Sequence, residues 1–281
     1  MRLASGLALA FCATGALAAD ASADPAAVGP SAVRLDAHRA VYDLTLGIVR
    51  EEAGIASAVG RIALEIHGDA CDGYTTRVRQ VVVIGAEDGV GQTIDSNSAT
   101  FEAADGALLK FRSETRAAGT TIESVDGQAA RAEGATTISL ERSAEPSRVL
   151  SDAPLFPTEH VRLMIGAARA GERLVPARLF DGSGDGLTVY ETLALVGNER
   201  APEGDAAPEA LAPVAGLASW PVRLSYFVEG EGEQLPEYEI SFRLFENGVS
   251  SDLVFDFGAY ALEGRLVSLD LIAPSGACET P

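Results

Sequence analysis

Residues 238–257, YEISFRLFENGVSSDLVFDF, alternate large apolar and polar side chains on both sides of a central Asn-Gly pair. A period of two predicts β-strands with one buried face, and Asn247-Gly248 is a pair that suits a type I′ hairpin turn. The apolar residues that follow, in 260–272, change parity between Leu262 and Val267. Such a change predicts a bulge or bend, as a strongly curved sheet requires. This region therefore predicts an antiparallel meander with one solvent-exposed face.

The same alternation runs back through most of the chain. Tyr42, Leu44 and Leu46 alternate with smaller or polar residues, and further strand candidates are bounded by Gly, Asp or Asn. These candidates are 57–66, 74–84, 92–102, 107–116, 120–125, 135–142, 173–180 and 187–196. We expect a mostly β protein, a large antiparallel meander that curls into an open barrel or β-spiral, because one-sided strands must cover their apolar face.

One segment, LFPTEHVRLMIGAARAGE at 155–172, has a helical period. Pro157 suits a first helical position and Gly171 suits a C-terminal stop, which predicts one main amphipathic helix at about 157–170. The stretch 199–216 is rich in Pro and Ala. We interpret it as a surface loop of a single β-rich domain over 35–281, because strand patterning resumes after it in the same style.

The N-terminus has the features of an export signal. Arg2 precedes a short apolar run, and Ala16-Leu17-Ala18 is a small-x-small cleavage pattern, which predicts a signal peptide over 1–19 and then a flexible lead-in over 20–34. The apolar run is shorter than the roughly 20 residues of a membrane span, and no later segment is apolar enough for one. We expect a soluble periplasmic protein that does not span the membrane.

The charge balance narrows the class of partners. The 281 residues include 41 Asp and Glu against 21 Lys and Arg, for a net charge of −20, and Lys110 is the one lysine. Such a charge disfavours nucleic acid and anionic membrane surfaces as non-specific partners. We therefore expect no nucleic-acid partner.

Signal cleavage removes Cys12 and leaves Cys71 and Cys278. Paired thiols in an oxidising compartment tend to form disulfides, which favours a Cys71–Cys278 bridge. Two alternatives stay open. A zinc site would recruit His67 with Cys71, Asp69 or Asp72, and Cys278, but the paired ligand spacing is missing. A nucleophilic Cys71 lacks an obvious neighbouring base.

The sequence contains no motif for catalysis and no convincing metal loop. FDGSGDG at 180–186 places Asp181, Ser183 and Asp185 at alternate positions, as a calcium loop does, but the closing position holds Thr192 instead of glutamate. A glycine-rich hairpin is the preferred interpretation. We therefore expect no catalytic residue, no metal and no cofactor, although a hydrolase of envelope material stays a third hypothesis.

Several segments together resemble the cell-envelope integrity EipB family of alphaproteobacterial periplasmic proteins. They are HRAVYDLTL (38–46), GDACDGYTT (68–76), LFPTEHVRLMIGAARAGE (155–172), FDGSGDG (180–186), SWPVRLSYF (219–227) and YEISFRLFENGVSSDLVFDFGAY (238–260). The resemblance implies a curled antiparallel sheet with the helix inside it, a disulfide between Cys71 and Cys278, and a role in maintaining the envelope. It supplies no catalytic residues.

Two classes of function follow. The first is a non-enzymatic protein that binds a lipid-like or apolar ligand inside the curled sheet, with Trp220, Phe242 and Met164 as candidate cavity residues. The second is a structural factor that docks onto an envelope protein and binds no small ligand. For Trp220, packing in the core is the preferred interpretation, and a wall of a ligand cavity is the alternative.

Overall fold

The computed structural model describes residues 33–50, 54–141, 147–200, 208–230 and 235–273. The predicted signal peptide and Cys278 lie outside these ranges. The elements are β1 (His38–Val49), β2 (Ile55–Asp69), β3 (Gly73–Ala86), β4 (Gly91–Glu102), β5 (Leu108–Ala117), β6 (Thr120–Ala132), β7 (Ala135–Leu140), β8 (Ser147–Leu150), α1 (Pro157–Ala170), β9 (Leu174–Leu179), β10 (Tyr190–Val196), α2 (Pro208–Leu211), β11 (Ser219–Val228), β12 (Tyr238–Phe245), β13 (Ser250–Asp256) and β14 (Tyr260–Leu271).

The strands form one 14-stranded sheet in the order β8-β7-β6-β5-β4-β3-β2-β1-β14-β13-β12-β11-β10-β9. Neighbouring strands pair antiparallel throughout. β1 pairs with both β2 and β14, so two meanders join into one continuous sheet. The predicted fold, a large antiparallel meander curled into an open barrel with one main helix, is confirmed.

The two edge strands, β8 and β9, are connected by the segment that contains α1, and this segment covers the seam between them. Leu155 forms a parallel bridge to Leu179 of β9. From the other edge, Arg148 of β8 donates a hydrogen bond of 2.7 Å to the carbonyl oxygen of Leu187. β8 and β9 do not pair with each other as neighbouring strands, but backbone and side-chain contacts connect these two edges of the sheet.

Helix α1 begins and ends where the sequence predicted. Pro157 is its first residue, and Gly171 closes it with φ 77°, its N–H donating to the carbonyl oxygens of Ala167 and Ala168. That left-handed conformation favours glycine. We call the face of the sheet that contacts α1 and α2 the inner face. Because α1 packs on this face, polar residues of the helix are buried as well as its apolar ones.

The hairpin between β12 and β13 differs from the predicted type I′ turn. Gly248 has φ 88°, but Asn247 is not among the residues with positive φ, which a type I′ turn needs at both central positions. The loop spans residues 246–248, and Phe245 N–H bonds to the Val249 carbonyl oxygen at 2.9 Å. A three-residue loop needs only its last residue in the left-handed conformation.

The parity change in 260–272 marks a true irregularity of the sheet. Val41 of β1 lies opposite Ser268, whereas the next residue, Tyr42, lies opposite Leu266, so Val267 is the extra residue of β14. The predicted bulge is confirmed, and it allows apolar residues on both sides of it to face the same core.

Part of the stretch predicted as a surface loop, 199–216, is packed instead. Residues 208–214 form α2 and a 3-10 turn, Ala212–Val214. Ala210 and Val214 are buried against residues of β1 and β14. Because alanines and a valine can enter a core as easily as a loop, composition alone did not distinguish the two. Residues 201–207 lie outside the described ranges.

Three apolar clusters cover the inner face. One joins α1 to β9–β12, the second joins α2 and the 3-10 turn to β1–β3 and β14, and the third joins β5–β7 to Phe156 and Phe180. Val33, at the end of the predicted lead-in, is buried in the first cluster. No helix in the described ranges is both long and apolar enough to cross a membrane.

Candidate functional site

The three predicted cavity residues lie together on the inner face. Trp220 and Met164 are buried in one apolar cluster, and Phe242 is half-buried against it. Neither Trp220 nor Met164 lines any of three surface clefts of the described residues, and Phe242 borders one of these clefts beside Pro221 and Ser241. Core packing explains their burial, and a role as ligand contacts stays a prediction.

Polar groups on the inner face hold the first turn of α1. The Glu102 carboxylate accepts hydrogen bonds from the Thr158 hydroxyl and from its backbone N–H at 2.8 Å. Burial raises the pKa of Glu102, and the bonds from Thr158 oppose that rise. Arg162 lies over the ring of Tyr74, 5.2 Å from its centroid. These contacts fix α1 to β3 and β4, so we interpret them as structural.

His160 is a buried group of α1 whose titration is measurable. It is 3% exposed, its Nε2 lies 3.1 Å from the Thr192 hydroxyl, and burial lowers its pKa to about 4. Between pH 6.5 and about 4 the unfolded chain binds a proton at this position and the folded chain does not. The free energy of unfolding is therefore not reduced by His160 above about pH 6.5, and it decreases as the pH falls below that value. The difference between the ordinary and the lowered pKa of His160 corresponds to roughly 3 kcal/mol in the free energy of unfolding.

We expect His160→Gln, which keeps a hydrogen-bonding group beside Thr192, to flatten the pH dependence of the free energy of unfolding between pH 6.5 and 4. Urea titrations of both proteins across this range measure it. Glu102, whose pKa is raised, titrates in the opposite sense, so the difference between the two proteins isolates His160. His67→Gln, at a partly exposed histidine, is the matched control. Parallel profiles for wild type and His160→Gln contradict the assignment.

The FDGSGDG segment uses its carboxylates within its own turn. Asp181 Oδ1 accepts from the Ser183 N–H at 2.9 Å, and Asp185 Oδ1 accepts from the N–H groups of Leu187 and Thr188 at 2.8 Å each. The described residues contain no group of three His, Cys, Asp or Glu side chains placed to hold a metal ion. The segment is a turn between β9 and β10, as the preferred interpretation of its sequence has it.

Cys71 lies in the turn between β2 and β3. It is disulfide-bonded, while Cys278 lies outside the described residues, so the Cys71–Cys278 pairing stays a prediction. Asp69 Oδ1 accepts from the N–H groups of Cys71 and Asp72 at 2.8 and 3.0 Å, and these bonds lower the pKa of Asp69. The carboxylate thus holds the turn that presents the cysteine.

A cleft of about 580 Å³ crosses the outer face of β1–β5, and we call it the outer cleft. Its lining includes the short side chains of Val41, Ala63 and Ala99 beside longer polar ones. The polar residues that line it are Arg39, Glu65, Arg77, Arg79, Asn97, Ser98, Arg112 and Glu114. Its volume is in the range of small-molecule sites. Sequence reasoning did not anticipate it.

Strand register builds this cleft. Val41 lies opposite Ala63, and Ala63 lies opposite Arg79. Side chains directly opposite each other are roughly 5 Å apart, so short residues flanked by arginines leave a depression. The methylene stems of the arginines add apolar wall below their charged ends. A neighbouring cleft of about 480 Å³ shares Arg77, Ala99 and Arg112 with the outer cleft and continues to β7.

Ion pairs orient part of the rim. Arg79 bonds to both carboxylate oxygens of Asp95, at 3.2 and 3.0 Å, and this contact lowers the pKa of Asp95. Arg39 Nε donates to Glu65 at 2.6 Å. Hydrogen bonds from His67 and Arg39 lower the pKa of Glu65. The cleft therefore combines fixed charges with short apolar side chains, an arrangement that fits an amphiphilic molecule.

A curled antiparallel sheet with a helix on its inner face defines a β-barrel-like protein, and a solved structure has this form. The crystal structure of a beta-barrel-like protein of a domain of unknown function from Brucella abortus matches with a TM-score of 0.81 at 35% identity, covering 85% of this chain and 99% of that chain. The family model described as EipB-like matches residues 30–273. The chain belongs to the EipB-like family.

A curated relative is the Cell envelope integrity protein EipB of Brucella abortus (strain 2308). It is 37% identical over 251 residues, which cover 88% of this chain and 88% of the relative. The family resemblance found in the sequence segments is thereby confirmed.

Proposed function

We propose that the protein is exported to the periplasm and supports the integrity of the cell envelope by binding a lipid-like or apolar molecule without catalysing a reaction on it. The N-terminal signal pattern supports export. The name of the curated relative, a cell envelope integrity protein, supports the role in the envelope.

The outer cleft carries the ligand part of the proposal. Ala63 is exposed on the outer face, and Val41 and Ala99 are half-buried. Exposed small apolar residues in a concave site, with polar groups around them, suit a ligand that has an apolar portion and a polar end. The inner face is occupied by α1, α2 and the three apolar clusters, which favours the outer cleft over the interior as the binding site.

A neutral fluorescent probe tests this proposal. We expect N-phenyl-1-naphthylamine to bind the purified protein and to be displaced by lipid extracted from an envelope fraction. Ala63→Trp fills the part of the outer cleft between β1 and β3, so we expect it to weaken probe binding roughly tenfold or more. Fluorescence titration measures both.

Val83→Trp is the matched control, because Val83 is an exposed outer-face residue on β3 that does not line the outer cleft. It should bind the probe as the wild type does. Absence of probe binding to the wild type, or equal affinity in Ala63→Trp, rules out the outer cleft as an apolar site.

A second candidate function is docking onto another envelope protein. Large apolar side chains are exposed near one end of the sheet, where β1–β4 and the β13–β14 hairpin meet solvent. They are Ile48, Val49, Val59, Val83, Val90 and Phe257. A photo-crosslinking residue at Val90 that captures one envelope protein, in a protein that binds no probe, supports docking instead of ligand binding.

A further inference from the structure

Strand register arranges charged side chains of the outer face in a row across β1–β6. Each member lies directly opposite the next on the neighbouring strand. In order, the row consists of Arg39, Glu65, Arg77, Ala99, Arg112 and Asp126. The charges alternate in sign, as opposite charges on facing strands stabilise one another. The alternation fails only at Ala99, which stands between two arginines.

The two arginines beside Ala99 have only distant acidic neighbours. Arg77 lies 4.0 Å from Glu65, which already holds Arg39 at 2.6 Å. Arg112 lies 3.9 Å from Asp126. Their side chains are 63% and 71% exposed. Both cations are therefore available to an anion from solution.

We infer that the outer cleft binds a phosphate group over Ala99, held between Arg77 and Arg112. Adjacent strands are about 4.8 Å apart, so the two arginine backbones are separated by roughly 10 Å with only a methyl group between them. A guanidinium group presents a fork of donors that matches two oxygens of an anion. A carboxylate has two oxygens and satisfies one such fork, whereas a phosphate has enough oxygens to accept from both.

Lys110 adds a third cation to this position. Lys110 lies opposite Phe101 and two residues before Arg112, so both side chains are on the same face of β5. Lys110 is therefore diagonal to Ala99. Such diagonal neighbours are about 7–8 Å apart, within reach of a long side chain. Lys110 makes no ion pair with any residue of the described ranges. The local cation excess contrasts with the net charge of −20 of the whole chain.

The inference rests on the proposed function for the apolar part of the ligand, and the phosphate source is either a lipid headgroup or free phosphate. Three probes separate these: dihexanoylphosphatidic acid, its phosphate-free counterpart dihexanoylglycerol, and inorganic phosphate. Calorimetric titration of the full mature chain gives each affinity. We expect the phosphatidic acid to bind roughly tenfold or more tightly than dihexanoylglycerol, because charge-assisted hydrogen bonds to arginine are made only to the phosphate.

Ala99→Glu and Ala99→Gln form the decisive pair of variants. Glutamate at this position completes the alternating row and takes the place of the external phosphate, whereas glutamine has the same size and no charge. We expect Ala99→Glu to lose the preference for phosphatidic acid and to gain thermal stability, and Ala99→Gln to keep most of the preference. Arg112→Gln should also lose it. Arg61→Gln, on the same face but outside the cleft and paired with Asp43 at 2.6 Å, should not.

The outcomes separate the two proposals. Tight binding of phosphatidic acid that Ala99→Glu and Arg112→Gln remove and that Ala99→Gln keeps supports the phosphate site and a lipid source. Equal affinity for inorganic phosphate supports the site and identifies a free or soluble phosphate. Equal affinities for phosphatidic acid and dihexanoylglycerol in the wild type overturn the phosphate site and leave the apolar cleft standing. Unchanged selectivity in Ala99→Glu also overturns it.

Discussion

Phe156→Ala is expected to lower the free energy of unfolding by roughly 3–5 kcal/mol, the cost of removing a buried phenyl ring and leaving a cavity. Phe156 is 0% exposed and packs in the cluster that joins β5–β7 to Phe180. The guanidinium carbon of Arg131 lies 3.8 Å from the centre of its ring. Such a contact adds about 0.5–2 kcal/mol depending on its exposure.

The position of Phe156 in the chain makes this loss large. It precedes the first residue of α1, and its backbone N–H donates to Glu159 at 2.8 Å. Arg131 of β6 bonds to both oxygens of Glu159, at 2.9 and 2.7 Å, and also to the carbonyl oxygen of Pro154. The ring thus sits where α1, β6 and the segment that covers the seam of the sheet meet.

Chemical denaturation of Phe156→Ala, beside Phe257→Ala as a control, measures this effect. Phe257 is 42% exposed, so removal of its ring should cost much less. A loss below about 1 kcal/mol for Phe156→Ala contradicts the packing described for the seam.

Cys71→Ser is expected to cause the second large loss, up to roughly 5 kcal/mol on the chain-entropy account of disulfides. Cys71 is disulfide-bonded, and a partner at Cys278 encloses a loop of 207 positions, the difference between 278 and 71. A long loop restricts the unfolded chain most. The figure is an upper value, because residual structure in the unfolded state reduces it.

Peptide mapping without reduction should recover the Cys71 and Cys278 peptides linked to each other. In denaturation experiments, wild type in reductant should unfold like Cys71→Ser, and reductant should not change the variant. If both thiols react freely with a label in protein prepared without reductant, the bridge is absent and the zinc alternative must be tested by metal analysis.

The sequence by itself determined most of the elements of this protein, although it predicted neither β8 nor α2. Alternation with a period of two marks strands because successive side chains of a strand point to opposite faces, and a helical period between Pro157 and Gly171 marks α1 at its observed limits. Even the bulge at Val267 was visible as a change of parity. All of these are local properties, which neighbouring residues fix without reference to the rest of the chain.

The residues of the core could be predicted only in part from the sequence. Core packing was the preferred interpretation for Trp220, and Trp220 is buried; Met164, a candidate cavity residue, is buried as well. Ala210 and Val214 were not recognised, because small residues in a Pro- and Ala-rich stretch carry no period. The turn at Asn247-Gly248 was assigned to the wrong type, because the dipeptide does not specify how many residues the loop contains.

The outer cleft could not be predicted from the sequence, because it depends on the tertiary structure. Alternation places Arg77 on one face of β3 and Arg112 on one face of β5, but it does not give the register between strands. Pairing puts both arginines opposite Ala99 of the strand between them. Register depends on how each strand covers the common core and on its turns, so residues far apart in the chain become neighbours through an interaction that no local pattern encodes.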